Sequence, residues 1–554
     1  MRASRQTATA APAGPAAPAA VDGPYARYVL GVLVVVYVLN FLDRQILSIL
    51  AERIKADLGL SDAQIGFLYG TAFAVFYALF GIPLGRLADV WVRTRLIAVG
   101  LGFWSLMTGL SALARSVGQL TAARIGVGVG EASANPAAYS LLCDYFPASQ
   151  RASVLAIYSS GIYIGAGLGL GLGGLIVNRW DAAFAGQAAP FGFHGWQVAF
   201  LAVGLPGLLL ALWVRTLREP VRGQSDGMAE AAPHPHPFRE LGRELIAVLP
   251  PLTLLNLLRL RAGARRIVLN LAAAVGCVAA AALLIRWLGS PPQWIALGIG
   301  AYATISWSQS LALRDRAAFA MIFGTPTLRY AGLGFSLLAF TGYGIGFWAA
   351  PFLVRVHGMS EAQVGLTLGG IAAGSGWLGV TLGGLWADRW RRRAPAARLY
   401  VGICTALLPL PFVLWMLATQ RTWLALLLNL PVALGTSMWI GPGASTVQDL
   451  VLPRMRAVAS AAYLLVVTFI GLALGPYTVG LLSVALGSLR AAMMMALFAN
   501  ALAAFFLMMA ARHLPRDERL HRRRAFDAGT PCARAARNTG LNRGRWPGSS
   551  TPRG

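Results

Sequence analysis

The sequence predicts an all-α polytopic membrane protein, and three observations carry that reading: long apolar runs recur, charge is scarce, and the two halves repeat one another. Of 554 residues, 57% are hydrophobic and 12% charged, with a mean hydropathy of +0.61. Soluble domains carry about a quarter of their residues as Asp, Glu, Lys and Arg, so a water-soluble chain is excluded. With it goes the reading of the net charge of +26 as a nucleic-acid surface. Runs of about 20 apolar residues cross a hydrocarbon layer of roughly 30 Å at about 1.5 Å per residue, and they must be helical because no water there satisfies the backbone.

Residues 1–24, rich in Ala, Pro and Thr, read as a disordered tail. They are not a signal peptide, because Asn40, Asp43, Arg44 and Gln45 interrupt the first apolar run. Six runs follow at 28–50, 64–84, 96–114, 120–142, 154–177 and 196–214, forming a first bundle over 25–218. The proline-rich, basic stretch 219–266 reads as a cytoplasmic linker. Its His234 and His236 supply too few ligands for a tight metal site, so no metal is expected. Runs at 267–288 and 294–313 add two transmembrane helices between the halves, within 267–315. Runs at 328–354, 364–385, 399–418, 424–447, 457–486 and 491–510 build a second six-helix bundle over 316–512, and the basic 513–554 reads as a disordered tail.

Several chemistries drop out. Lys55 is the single lysine and follows no glycine run, so a phosphate-binding loop is absent. Cys143, Cys277, Cys404 and Cys532 form no CxxC pair. Neither Gly-x-Ser-x-Gly nor His-Glu-x-x-His occurs. No catalytic residue and no cofactor are expected, and the chain is not read as an enzyme.

Orientation follows from arginines. Arg86, Arg93 and Arg95 between spans 2 and 3, and Arg389, Arg391, Arg392, Arg393 and Arg398 in the equivalent loop, belong inside, as do Arg151, Arg454 and Arg456. Opposite loops carry single arginines such as Arg115, Arg179, Arg421 and Arg490. An even span count leaves both termini cytoplasmic.

The repeat is visible where Gly85-Arg86-Leu87-Ala88-Asp89 recurs as Gly384-Leu385-Trp386-Ala387-Asp388. Two copies of one loop motif in two six-span halves suit a secondary transporter. Gly85, Asp89, Arg93 and Arg95 in one copy, and Gly384, Asp388 and Arg389 in the other, are read as a latch on the cytoplasmic side, with the arginines answering the aspartate.

Ionised groups inside spans cost about 2.5 to 3.5 kcal/mol each on insertion scales, so Asp43 in span 1 and Arg124 and Glu131 in span 4 are candidates for function. Seven residues apart, Arg124 and Glu131 share a helix face about 10 Å apart along the axis. Asp43 and Glu131 are read as protonatable acids competing for Arg124, a proton-coupling device. The competing reading is a static pair that fixes packing. Arg44, about 100° around the helix from Asp43, is placed at a gate or interface. Gly161, Gly165, Gly169 and Gly173 on span 5 predict close helix packing that lets one bundle move against another. Tyr69, Tyr158, Tyr163, Thr341, Tyr343, Asn429 and Trp439 are candidates for a substrate-cavity wall, against the plainer reading of packing.

Asn40-Phe41-Leu42-Asp43-Arg44-Gln45, the run from Arg124 to Ala132, and Asp144-Tyr145-Phe146-Pro147 resemble the spinster-like branch of the major facilitator superfamily, whose signature is the loop motif. The resemblance implies two pseudo-symmetric six-helix bundles and, from related transporters, roles for Asp43, Arg124 and Glu131 in proton coupling or conformational switching. It departs at Val90, Trp91 and Val92, where the family motif has a glycine and further basic residues. The extra helix pair is similar to that of fourteen-span drug antiporters. The expected protein is a monomeric, proton-coupled transporter of the cytoplasmic (inner) membrane. It moves a small or amphiphilic organic solute, anionic or lipid-like, by alternating access, with protons and the bilayer as its other partners and no nucleic acid. A multidrug:proton efflux antiporter and a non-transporting receptor or scaffold are the alternatives.

Overall fold

The computed structural model describes residues 22–147, 150–226, 235–451 and 455–527. The readings placed on residues 1–21, His234, Arg454, Cys532 and 528–554 lie outside the described residues. The described residues are helical throughout, with no strand.

The first bundle comprises α1 (Pro24–Leu58), α2 (Asp62–Val90), α3 (Arg93–Ser111), α4 in two segments (Val117–Glu131 and Ala134–Tyr145), α5 (Arg151–Ala183) and α6 (Gly195–Arg215). Two short linker helices, α7 (Pro237–Val248) and α8 (Leu252–Arg259), meet at 107°. The hairpin α9 (Ala264–Leu288) and α10 (Pro291–Arg314) and the short α11 (Arg316–Gly324) precede the second bundle. That bundle holds α12 (Pro326–His357), α13 (Glu361–Arg391), α14 (Ala397–Ala418), α15 (Thr422–Asp449), α16 (Val458–Leu486) and α17, whose segments are Leu489–Ala496 and Phe498–Asp527. Residues 513–527 thus continue the last helix, where hydropathy alone placed the start of a tail.

Among the described residues eleven helices are long and apolar enough to span a membrane, or twelve if the bent α7 and α8 count as one, against the fourteen runs read from sequence. The difference is compositional. Helix α3 opens on Arg93 and Arg95, α4 is broken at Ala132 and Ser133, and α10 is rich in Ser, Thr and Gln. Of the hairpin, α9 passes that measure and faces outward along nearly its whole length, while α10 buries Gly300, Ala303 and Trp307.

The linker is more ordered than its proline content predicts. Phe238 of α7 packs on Trp91 at the end of α2 (5.1 Å). A polar ladder ties α8 to the hairpin: Asn256 donates to Ser310, and Asn270 donates to Ser306 and Gln309 while accepting from Tyr302. Buried amides and hydroxyls in an apolar setting stabilise a structure only when they pair in this way.

Within each bundle the same partners meet: α1 with α5, α2 with α4 and α3 with α6, repeated as α12 with α16, α13 with α15 and α14 with α17. The bundles meet along two seams, α5 against α13 and α2 against α16. Glycine makes both possible. The row Gly161, Gly165, Gly169 and Gly173 packs inside its own half, on α1; a Cβ on Gly165 would sit 2.2 Å from the Val38 carbonyl oxygen. The neighbouring Gly167 and Gly174 face the other bundle instead, so the surface that meets that bundle is the adjacent stripe rather than the row itself.

Candidate functional site

Asp43 and Arg44 occupy the middle of α1, a helix of 35 residues, and both are buried. Helix α4 brings Arg124 and Glu131 against them, and both are buried as well. Two acids and two arginines therefore share one interior site whose formal charge cancels. Arg44 donates to Glu131 at 2.7 Å, and Arg124 stands 3.7 Å from Asp43. The predicted competition of both acids for Arg124 is replaced by two separate pairs. Arg44, placed at a gate or interface by its angle on the helix, is instead the closest partner of Glu131. A long guanidinium stem covers the 100° that Cβ directions alone would forbid.

Two further residues touch both pairs or their acids. Thr108 of α3 donates a short hydrogen bond to Asp43, and Phe73 of α2 lies under both guanidiniums, 4.4 Å from Arg44 and 5.7 Å from Arg124. Neither residue is among the site residues expected from the sequence, and nothing in the spacing of Thr108 distinguishes it.

The two pairs differ in quality. All three guanidinium nitrogens of Arg124, one oxygen of Asp43 and one of Glu131 are buried without a hydrogen-bond partner among the described residues. A buried polar group left unpaired costs about 1–3 kcal/mol, more when charged.

Around this cluster the cavity candidates divide. Tyr69 reaches Gln45 (3.3 Å) and packs on Phe347 of the other bundle (4.3 Å between centroids). Tyr158 stacks on Tyr37 (4.4 Å) and donates to Asn135 (3.0 Å), which donates in turn to Tyr77 (3.3 Å). Tyr163 lies against Gly376 of α13, across the seam between the bundles. Tyr343 is partly buried and packs against the apolar core. Trp439 stacks on Phe335 (6.3 Å) within the second bundle. Thr341 bonds back to the Leu337 carbonyl, and Asn429 turns to the Met416 sulfur; both partners belong to the second bundle.

The loop motif does not pair as its spacing suggested. Arg93 is fully buried and donates to Asp144, Glu219 and Ser140, leaving Asp89 to Arg86 at 3.6 Å. In the other copy Arg398 pairs with Asp449 and reaches Asp388 at 3.5 Å, and Arg391 meets Asp449 at 2.6 Å. Arg93 to Asp144 and Arg398 to Asp449 are both 51 residues apart, so each half pins the start of its third helix to the end of its fourth. That equal spacing is a signal available in the sequence and missed by matching glycines. Gly85 approaches Pro136 of α4, whereas Gly384 has open space where its Cβ would be. No ion pair is resolved for Arg95 or Arg389 among the described residues.

The opposite end holds a network the sequence reading did not anticipate. Arg355 of α12 meets Asp62 of α2 (2.6 and 2.7 Å) and Glu52 of α1 (2.7 Å), and Arg53 meets Glu361 of α13 (2.8 Å). Asp62 also accepts from Lys55 (2.6 Å) and Ser483 (2.8 Å). These bonds join the two bundles at the α1–α2 turn.

Among the described residues no group of three His, Cys, Asp or Glu side chains converges to hold a metal ion.

A family model described as the Major Facilitator Superfamily matches residues 33–476. An efflux pump of that type from Mycolicibacterium smegmatis is 30% identical over 82% of this chain and 83% of its own length. A hexuronate transporter of Bacillus subtilis is 33% identical over 33% of this chain and 40% of its own. Among solved structures, a bacterial homologue of the human lysosomal transporter Spinster, in an inward-facing and unoccupied conformation, superposes with a TM-score of 0.68 at 27% identity, covering 90% of this chain and 99% of that one.

Proposed function

Because the chain belongs to the major facilitator superfamily, we infer that it is a proton-coupled secondary transporter in which the Asp43, Arg44, Arg124 and Glu131 cluster links protonation to alternating access. The observation that carries this reading is Arg124: fully buried, 3.7 Å from Asp43, with no hydrogen bond on any of its nitrogens. A structural ion pair in an apolar interior needs close geometry and further hydrogen bonds to offset desolvation. This pair lacks the close geometry, and although Asp43 accepts from Thr108, Arg124 has no hydrogen bond of its own, so the arginine is poised to change partners. Protonating Asp43 removes the counter-charge of Arg124, which must then turn to Glu131 or to an anionic solute. A proton therefore favours one arrangement of the helices over another, by as much as its affinity differs between them.

The solute is a small or amphiphilic organic compound that is anionic or lipid-like; the anionic part of that class is supported by Arg124 and by the hexuronate transporter among the relatives. Proton-driven multidrug efflux is the second reading, favoured by the length over which the efflux pump aligns. The ion pairs at the α1–α2 turn close one end. With the arginine-rich loops placed in the cytoplasm, that closed end is the outer one, both termini are cytoplasmic, and the protein faces inward, as a monomer in the inner membrane. Helices α9 and α10 then cross the bilayer as an added pair against α2. The loop motifs set how rigidly each bundle moves: Arg93 and Arg398 hold their own halves, with Gly85, Asp89, Arg95, Gly384, Asp388 and Arg389 at the same cytoplasmic end.

Reconstituted vesicles with an imposed pH gradient test the coupling. Asp43→Asn should insert normally and lose gradient-driven flux; flux equal to that of the wild type would remove Asp43 from the role.

A further inference from the structure

At the closed end, a cavity of about 570 Å³ opens between the bundles, lined by Lys55, Asp62, Arg355, Ser483, Ser488 and Arg490 among others. Pockets for small ligands run from about 300 to 1,000 Å³, so the space suits a small organic molecule. Its wall carries three cations and one acid. That acid, Asp62, belongs to the first bundle, yet two of its donors, Arg355 and Ser483, belong to the second. Arg355 takes it with two nitrogens, the fork geometry by which arginine recognises a carboxylate. Glu52 holds the remaining edge of Arg355, and Arg490 stands in the same wall, meeting the Gln420 amide oxygen at 3.4 Å.

We propose that this cavity is a binding site for a small organic carboxylate arriving from the closed side, and that Asp62 is the built-in occupant such a solute displaces. When the bundles part at this end, Asp62 leaves with the first, while Arg355, Ser483 and Arg490 stay with the second. The donors then face the compartment with no carboxylate of their own. A solute carboxylate fills that vacancy in the open arrangement but must compete with Asp62 in the closed one. Its affinity therefore differs between the two states, and the solute draws the protein toward opening. The effect on opening rests on the alternating-access reading; the site itself does not depend on proton coupling.

The test uses full-length protein in nanodiscs without a pH gradient. Succinate is the probe, inorganic phosphate and neutral succinamide are the controls, and titration calorimetry is the readout. Asp62→Asn should bind succinate at least about tenfold tighter than wild type, tenfold being about 1.4 kcal/mol. Arg355→Gln should abolish binding, and Arg490→Gln, at the rim, should weaken it while leaving the fold intact. Spin labels on Ala56→Cys and Leu486→Cys, in a background without the native cysteines, should move apart with succinate and stay put with succinamide. Unchanged affinity in Asp62→Asn, or wild-type binding in Arg355→Gln, overturns the site. Phosphate binding as tightly as succinate overturns the carboxylate class. Repeating the titration in Asp43→Asn separates the two readings: binding persists there whether or not coupling is lost.

Discussion

Two charge clusters join helices in this protein, and they are built in opposite ways. The one in the membrane interior sets two acids against two arginines and leaves Arg124 without a hydrogen bond. The one at the closed end surrounds Asp62 with Lys55, Ser483 and both terminal nitrogens of Arg355. Burial alone does not separate them, since the Asp62 side chain is 5% exposed and that of Asp43 2%. Pairing does. The closed end is fully paired across the two bundles, whereas the interior cluster leaves buried polar atoms unpaired; under the proposed function the first is broken by moving whole bundles and the second is rearranged by a single proton. A lock and a trigger need these different economies of hydrogen bonding.

The largest effect that separates them comes from removing an interior cation. Arg124→Ala leaves Asp43 charged and unpaired, which should cost about 3–5 kcal/mol in a buried pair. Melting in detergent should fall steeply near neutral pH, and Asp43→Asn in the same chain should recover most of the loss; no recovery would mean that Arg124 acts by packing.

Closure can also be broken without touching a charge. A Cβ on Gly365 would sit 2.3 Å from the Leu170 carbonyl oxygen across the seam. Overpacking of this kind costs about 1–3 kcal/mol, so Gly365→Ala should part the bundles at the Asp62 end. Labelling of a cysteine placed at Ser483 should then speed up; an unchanged rate would show that the seam gives way elsewhere.

The smallest effect is expected at the rim. The Arg53 side chain is 43% exposed in its pair with Glu361; exposed pairs contribute about 0.2–1 kcal/mol and weaken with salt. Arg53→Gln should shift the open fraction slightly at low salt and not at all in molar salt. The Arg124 effect should persist in both.

The fold was legible because a membrane imposes few choices: runs of about 20 apolar residues must be helices, and two copies of a loop motif reveal a duplicated bundle. Asp43, Arg124 and Glu131 stood out because ionised groups inside spans are rare. Their pairing was not legible. Asp43 and Arg44 are neighbours on one helix, and helical angle assigned them to different surfaces, yet both side chains reach α4. The loop arginines were matched to the nearest aspartate in sequence, while the fold gives Arg93 an acid 51 residues away. Proline and basic residues marked a linker without showing its helices, because the apolar surface against which α7 packs is supplied by Trp91 on another helix.

Composition and periodicity by themselves determined the medium, the helical class, the duplication and the identity of the costly interior charges, since each follows from local transfer free energies that no distant contact can reverse. Tertiary structure alone decided which arginine answers which acid, which glycine stripe faces the partner bundle, and that Asp62 and Arg355 seal one end. Those outcomes depend on distances between residues that hundreds of positions of chain keep apart until the helices pack.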